Sequence, residues 1–147
     1  MKKAVVILSL VLGISISLEA QKSEVFVREN EAIQGYDPVS YFTEGKAVKG
    51  KKEFSFNYKS ADWHFASLQN LNLFKANPEK YEPQYGGYCA YGLANGHKAP
   101  TEPDAWSIID GKLYFNYNKD VQAIWKKNQK KYIATADGQW PVLKHKE

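Results

Sequence analysis

Tyr85-Gly86-Gly87-Tyr88-Cys89-Ala90-Tyr91-Gly92-Leu93-Ala94-Asn95-Gly96 separates two segments with the same pattern. Upstream, Glu53 to Tyr58 alternates, placing Phe54, Phe56 and Tyr58 on one face of a strand, and Trp63-His64-Phe65 reads as its return. Ser67 then caps a helix carrying Leu68, Leu71 and Phe74. Downstream, Trp106 to Ile109 and Lys112 to Tyr117 flank Asp110-Gly111, a strong two-residue hairpin turn. Asn118 caps a helix carrying Val121, Ile124, Trp125 and Tyr132. A single hairpin–helix unit cannot bury its aromatic face alone. The expectation is an α+β fold: two ββα units forming an antiparallel sheet with helices, joined by a short Gly-rich central helix.

In the central stretch, Gly86-Gly87 permit a sharp turn or a close backbone approach. Cys89 to Ala94 can form about two helical turns, and Asn95-Gly96 stops them. Cys89 is the only cysteine of the chain, so no internal disulfide exists. In the first turn of a helix, its thiol feels the positive dipole end, which favours thiolate, the form that binds soft metals. The competing reading is a small apolar residue packed against the strands.

The ends bound the domain. Lys2-Lys3 precedes an apolar run, Ala4 to Leu18, too short for a comfortable membrane span, with a cleavage point after Ala20. A signal peptide is therefore expected at 1–20 and a polar tail at 144–147. That places the mature chain in the periplasm or outside the cell, with no stable membrane insertion once the signal is removed. A net charge of +4 is a mild bias rather than a polyanion-binding signature. Lys126, Lys127, Lys130 and Lys131 read as a solvated helix face, and nucleic acid is excluded as a partner.

Gly35-Tyr36-Asp37-Pro38-Val39-Ser40-Tyr41-Phe42, Trp63-His64-Phe65-Ala66-Ser67, Asn77-Pro78-Glu79-Lys80-Tyr81, Tyr85-Gly86-Gly87-Tyr88-Cys89-Ala90 and Ile109-Asp110-Gly111-Lys112-Leu113-Tyr114 occur in this order. Together they resemble the YHS-domain family in its longer exported bacterial form, and the resemblance implies an N-terminal extension at 21–34 and one domain at 35–143. The resemblance implies an association with heavy-metal handling. In short members the second strand runs into a Phe-Cys-Ser stretch with another cysteine four residues later. Those positions here are Ala66 and Asn70, so that thiol pair is missing.

Three functional classes stay open. The first is a small soluble binding module that handles a soft transition metal, copper as Cu(I), through Cys89 with His64 or His97. If the chain is helical from 89 to 97, Cys89 and His97 lie on the order of 12 Å apart. His64 is the first choice of partner, because a strand fixes its direction, and His97 is the second. The second class is a module for a non-metal small ligand or a protein partner, with an aromatic groove at Tyr36, Tyr85, Gly86, Gly87 and Tyr88, joined by Tyr41 and Tyr91. The third is a thiol-dependent enzyme pairing Cys89 with a histidine, but no local motif for a hydrolase, nucleotide binder or disulfide exchanger supports it. Oligomeric state is not legible.

Overall fold

Residues 23–146 are described by the computed structural model; the expected signal peptide falls outside them. The chain begins with two short strands, β1 (Val27–Arg28) and β2 (Glu31–Ala32), then a 3-10 turn at Ile33–Gly35 and helix α1 (Pro38–Thr43). The first hairpin is β3 (Lys51–Tyr58) and β4 (Ala61–Phe65), followed by α2 (Leu68–Ala76) and α3 (Pro78–Tyr81). A 3-10 turn at Gln84–Gly87 leads to α4 (Ala90–Ala94). The second hairpin is β5 (Trp106–Ile109) and β6 (Lys112–Phe115), and the chain closes with α5 (Lys119–Lys126) and α6 (Gln129–Leu143). The α+β class and both ββα units are thus present.

Local signals set these boundaries. Asp37 caps α1 by accepting from the Val39 and Ser40 amides, with Pro38 in the first turn, where its missing N–H costs nothing. Ser67 caps α2 and Asn118 caps α5 in the same manner. All three hairpins turn through two residues at positive φ: Glu29-Asn30, Lys59-Ser60 and Asp110-Gly111. Such turns match the right-handed twist of the flanking strands.

The two hairpins do not merge into one sheet. Strand β4 has β3 on one edge, and β2 pairs in parallel on the other, giving the order β1-β2-β4-β3. The β5–β6 pair forms its own two-stranded sheet, and its outer edge meets Cys89, which bridges to Phe115. β2 takes the second edge of β4 and Cys89 bridges to β6, so the hairpins meet through side chains instead. Strand β6 is the wall between two cores. Leu113 and Phe115 face a core with Val39, Tyr41, Trp63, Phe65 and Phe74. Tyr114 faces another with Tyr85, Tyr88, Leu93 and Trp125. Burying aromatic and aliphatic side chains of this size stabilises by roughly 1.5–3 kcal/mol each.

The C-terminal region also differs from expectation. One helix was expected from the Asn118 cap through Tyr132; the structure has two, broken at Asn128, whose backbone leaves the helical region (φ −148°, ψ 43°). The second helix runs on through Gly138 and Pro141, residues that read as helix breakers in sequence. It holds because it packs on α4: the Tyr91 and Tyr132 rings are 5.2 Å apart, and Gln139 donates to the Ala94 carbonyl at 3.1 Å.

Candidate functional site

Cys89 is not the accessible thiolate that its helix position suggested. It is 1% exposed and is the N-cap of α4 rather than a first-turn residue. Its Sγ accepts from the Gly92 amide at 3.4 Å and the Tyr117 amide at 3.2 Å, and it contacts Asn116 Oδ1 at 3.7 Å. Burial pushes the thiol pKa up, and the backbone donors only partly oppose this. A five-residue helix also supplies little dipole. Neither histidine is among the partners of the thiol.

The histidines are elsewhere. His64 is on β4, on the face opposite Trp63 and Phe65. It is buried, with Gly50 packed close against it and the Glu31 side chain beside its ring. Its Nδ1 lies 3.8 Å from Glu31 Oε1. His97 is exposed just past α4. Among the described residues, no group of three or more His, Cys, Asp or Glu side chains is arranged to hold a metal ion.

Ala66 and Asn70, the positions of the missing thiols, meet at one buried carboxylate. Asp37 Oδ2 accepts from the Ala66 amide at 2.8 Å and from Asn70 Nδ2 at 2.7 Å, while Oδ1 caps α1. This arrangement joins α1 to α2 with hydrogen bonds and leaves no open ligand position on Asp37.

The tyrosines and glycines of the expected aromatic groove also divide. Tyr36 lies under the Lys49 ammonium, 5.1 Å from its ring centroid. Tyr41 is buried in the first core, donating to the Pro103 carbonyl at 2.8 Å. Tyr88 packs on Phe26 and donates to the Ser23 carbonyl at 2.8 Å. Tyr91 stacks on α6, and Gly87 is buried, its carbonyl accepting from Thr101. Only Tyr85 and Gly86 line a common cavity.

That cavity has about 300 Å³ of open volume. It is built on the Tyr85-Gly86 turn, where Tyr85 takes φ 56° and Gly86 φ 62°. A left-handed tyrosine is strained by about 1–2 kcal/mol and persists only where its surroundings hold it. Here the Tyr85 hydroxyl donates to Asp137 Oδ1 at 2.8 Å, and its ring meets Trp140 edge-on at 6.0 Å. Burial first, then the Asp137 carboxylate, pushes the Tyr85 hydroxyl pKa up, so it remains a donor. Gly86 is required because a side chain there would overlap the Glu24 carbonyl, and its own carbonyl accepts from the Phe26 amide at 2.8 Å.

The rest of the wall is charged. Lys59 Nζ lies 3.1 Å from Glu82 Oε2 and 3.8 Å from Glu24 Oε1. Burial raises the Glu82 pKa despite the lysine beside it. Lys112 also lines the cavity. Three carboxylates therefore face two ammonium groups, and Lys59 is already committed to two of the three. Lys98 fixes the far wall: its ammonium donates to the Lys144 and Lys146 carbonyls at 2.9 Å each, tying down the end of the helix that carries Trp140.

Glu24, Lys59, Glu82, Asp137 and Trp140 were not singled out in the sequence. One signal was available: Ile133, Asp137 and Trp140 share a helix face by spacing. Gly138 and Pro141 masked it.

Residues 39–85 match the family model described as YHS domain. No curated protein and no solved structure matches the chain.

Proposed function

From a chain that carries a YHS domain at residues 39–85, we propose an exported small-ligand-binding module whose site is the Tyr85–Trp140 cavity. Export rests on the Lys2-Lys3 and Ala4 to Leu18 pattern. Among the described residues, no helix is long and apolar enough to cross a membrane.

YHS domains are associated with metal binding. The donors of this chain do not fit a resident soft metal: the one thiol is enclosed and protonated, and its partners are amides. The small-ligand reading is carried by the cavity itself. It combines two aromatic residues, three carboxylates and a strained turn at the end of the YHS match. Its excess of carboxylate favours a ligand that brings an ammonium group. Trp140 and Tyr85 offer ring faces and edges to the adjoining methylene chain or to the cation itself. Lys112, also on the lining, can receive an acid group, so linear amines and zwitterionic amino acids are the fitting class.

The test is calorimetric titration with putrescine, γ-aminobutyrate and butyrate. The amine-bearing probes should bind and butyrate should not. Asp137→Asn should weaken the amines. Equal binding of butyrate and putrescine, or unchanged amine binding in Asp137→Asn, contradicts the assignment.

A further inference from the structure

The Lys59 side chain occupies an unusual place. It belongs to a two-residue turn with φ 50° at Lys59 and 58° at Ser60, where asparagine and glycine are the comfortable residues. From there it folds across the Tyr58 ring, 5.5 Å from the centroid, to reach Glu82 and Glu24 on the cavity wall. Glu82 is only 18% exposed, while Lys59 is 36% exposed. A pair with one partner this open is weakly held and can exchange. A second cleft adjoins the first and shares Glu24 and Lys59 with it. Asn30, Ser60 and Lys144 line that cleft, which has about 430 Å³ of open volume, ample for a displaced lysine side chain.

We propose that the Lys59 ammonium is a built-in stand-in for the ammonium of the ligand, seated between Glu24 and Glu82 until an amine displaces it into the neighbouring cleft. This rests on the small-ligand reading above and adds its selectivity device. The site admits a cation that can take over both carboxylates and turns away anions, which would meet unneutralised acids once Lys59 moved. Glu82 fits this role: burial raises its pKa, so a cation beside it favours the ionised form.

The experiment is putrescine titration of wild type, Lys59→Met, Lys59→Arg and the double variant Lys59→Met/Glu82→Gln, each checked for an unchanged melting midpoint. Lys59→Gln serves if Lys59→Met does not fold. Removing the stand-in should tighten putrescine roughly tenfold. Lys59→Arg, which keeps a cation, should match wild type, and the double variant should lose the gain. If Lys59→Met (or Lys59→Gln) binds no more tightly than wild type, or if Lys59→Arg gains equally, Lys59 is not a stand-in. The small-ligand reading then still stands provided Asp137→Asn weakens putrescine in the wild-type background. If neither wild type nor Lys59→Met binds any amine, both fall together.

Discussion

Gly86→Ala tests the packing that builds the cavity. Alanine at φ 62° costs about 1 kcal/mol of left-handed strain. Its methyl group would overlap the Glu24 carbonyl, so the segment Ser23–Phe26 must lift. Lifting breaks the 2.8 Å bond from the Phe26 amide to the Gly86 carbonyl, worth about 1 kcal/mol net. It also begins to expose Val25, now 1% accessible, and Phe26, now 7%. Full exposure of each would cost about 1.5–3 kcal/mol, so partial lifting adds about 1–3 kcal/mol more. The total expected loss is about 3–5 kcal/mol, from the sum of strain, hydrogen bond and burial. Gly111→Ala is the control: Gly111 also has a positive φ, 74°, but a methyl group there meets nothing within 4 Å. It should cost only the strain, about 1 kcal/mol. Urea unfolding followed by tryptophan fluorescence measures both. Equal losses for the two variants would refute the claim that Gly86 is held by close approach rather than by φ alone.

Gly138→Ala should stabilise by about 0.5–1 kcal/mol, because Gly138 is helical and a methyl group there meets open space; the readout is an increase in thermal midpoint. Asp37→Ala should cost about 3 kcal/mol in the same urea assay, since it removes the α1 cap and orphans the Ala66 amide and Asn70 side chain. Cys89 should resist thiol reagents at neutral pH until the protein unfolds. Its folded pKa lies above the unfolded value, so as pH rises past the ordinary thiol range the unfolded chain loses its proton first and stability falls; Cys89→Ser should remove that alkaline slope. In competition with a Cu(I) chelator, Cys89→Ser should behave as wild type, and a loss of copper competition in that variant would return the thiol to the functional site.

Much of the fold was legible because it rests on local chemistry. Asp37-Pro38, Ser67 and Asn118 are caps whose side-chain oxygens act within three residues, and Asp110-Gly111 names its own turn. Lys59-Ser60 also turns between paired strands, although neither residue favours positive φ; the Tyr58–Ala61 pairing imposes it. The two-sheet arrangement was not legible, since it depends on β2 reaching β4 from 31 residues away, through the pair Glu31 and Asp62. The burial of His64 is likewise tertiary, with Gly50 and the Glu31 side chain beside it. The candidate site was half legible. Tyr85 and Gly86 stand out as a motif, but Asp137 and Trp140 reach them only because α6 continues through Gly138 on the support of α4. The spacing of Ile133, Asp137 and Trp140 hints at that face, but the helix that realises it is a tertiary effect.

The most direct test of the central claim is the Trp140 indole N–H resonance, assigned by its loss in Trp140→Phe and followed by NMR during titration with putrescine. The account predicts a saturable shift of that resonance, together with those of Gly86 and Asp137, and its disappearance in Asp137→Asn. A saturable response confined to residues outside the cavity, or no response at any amine concentration, would contradict it.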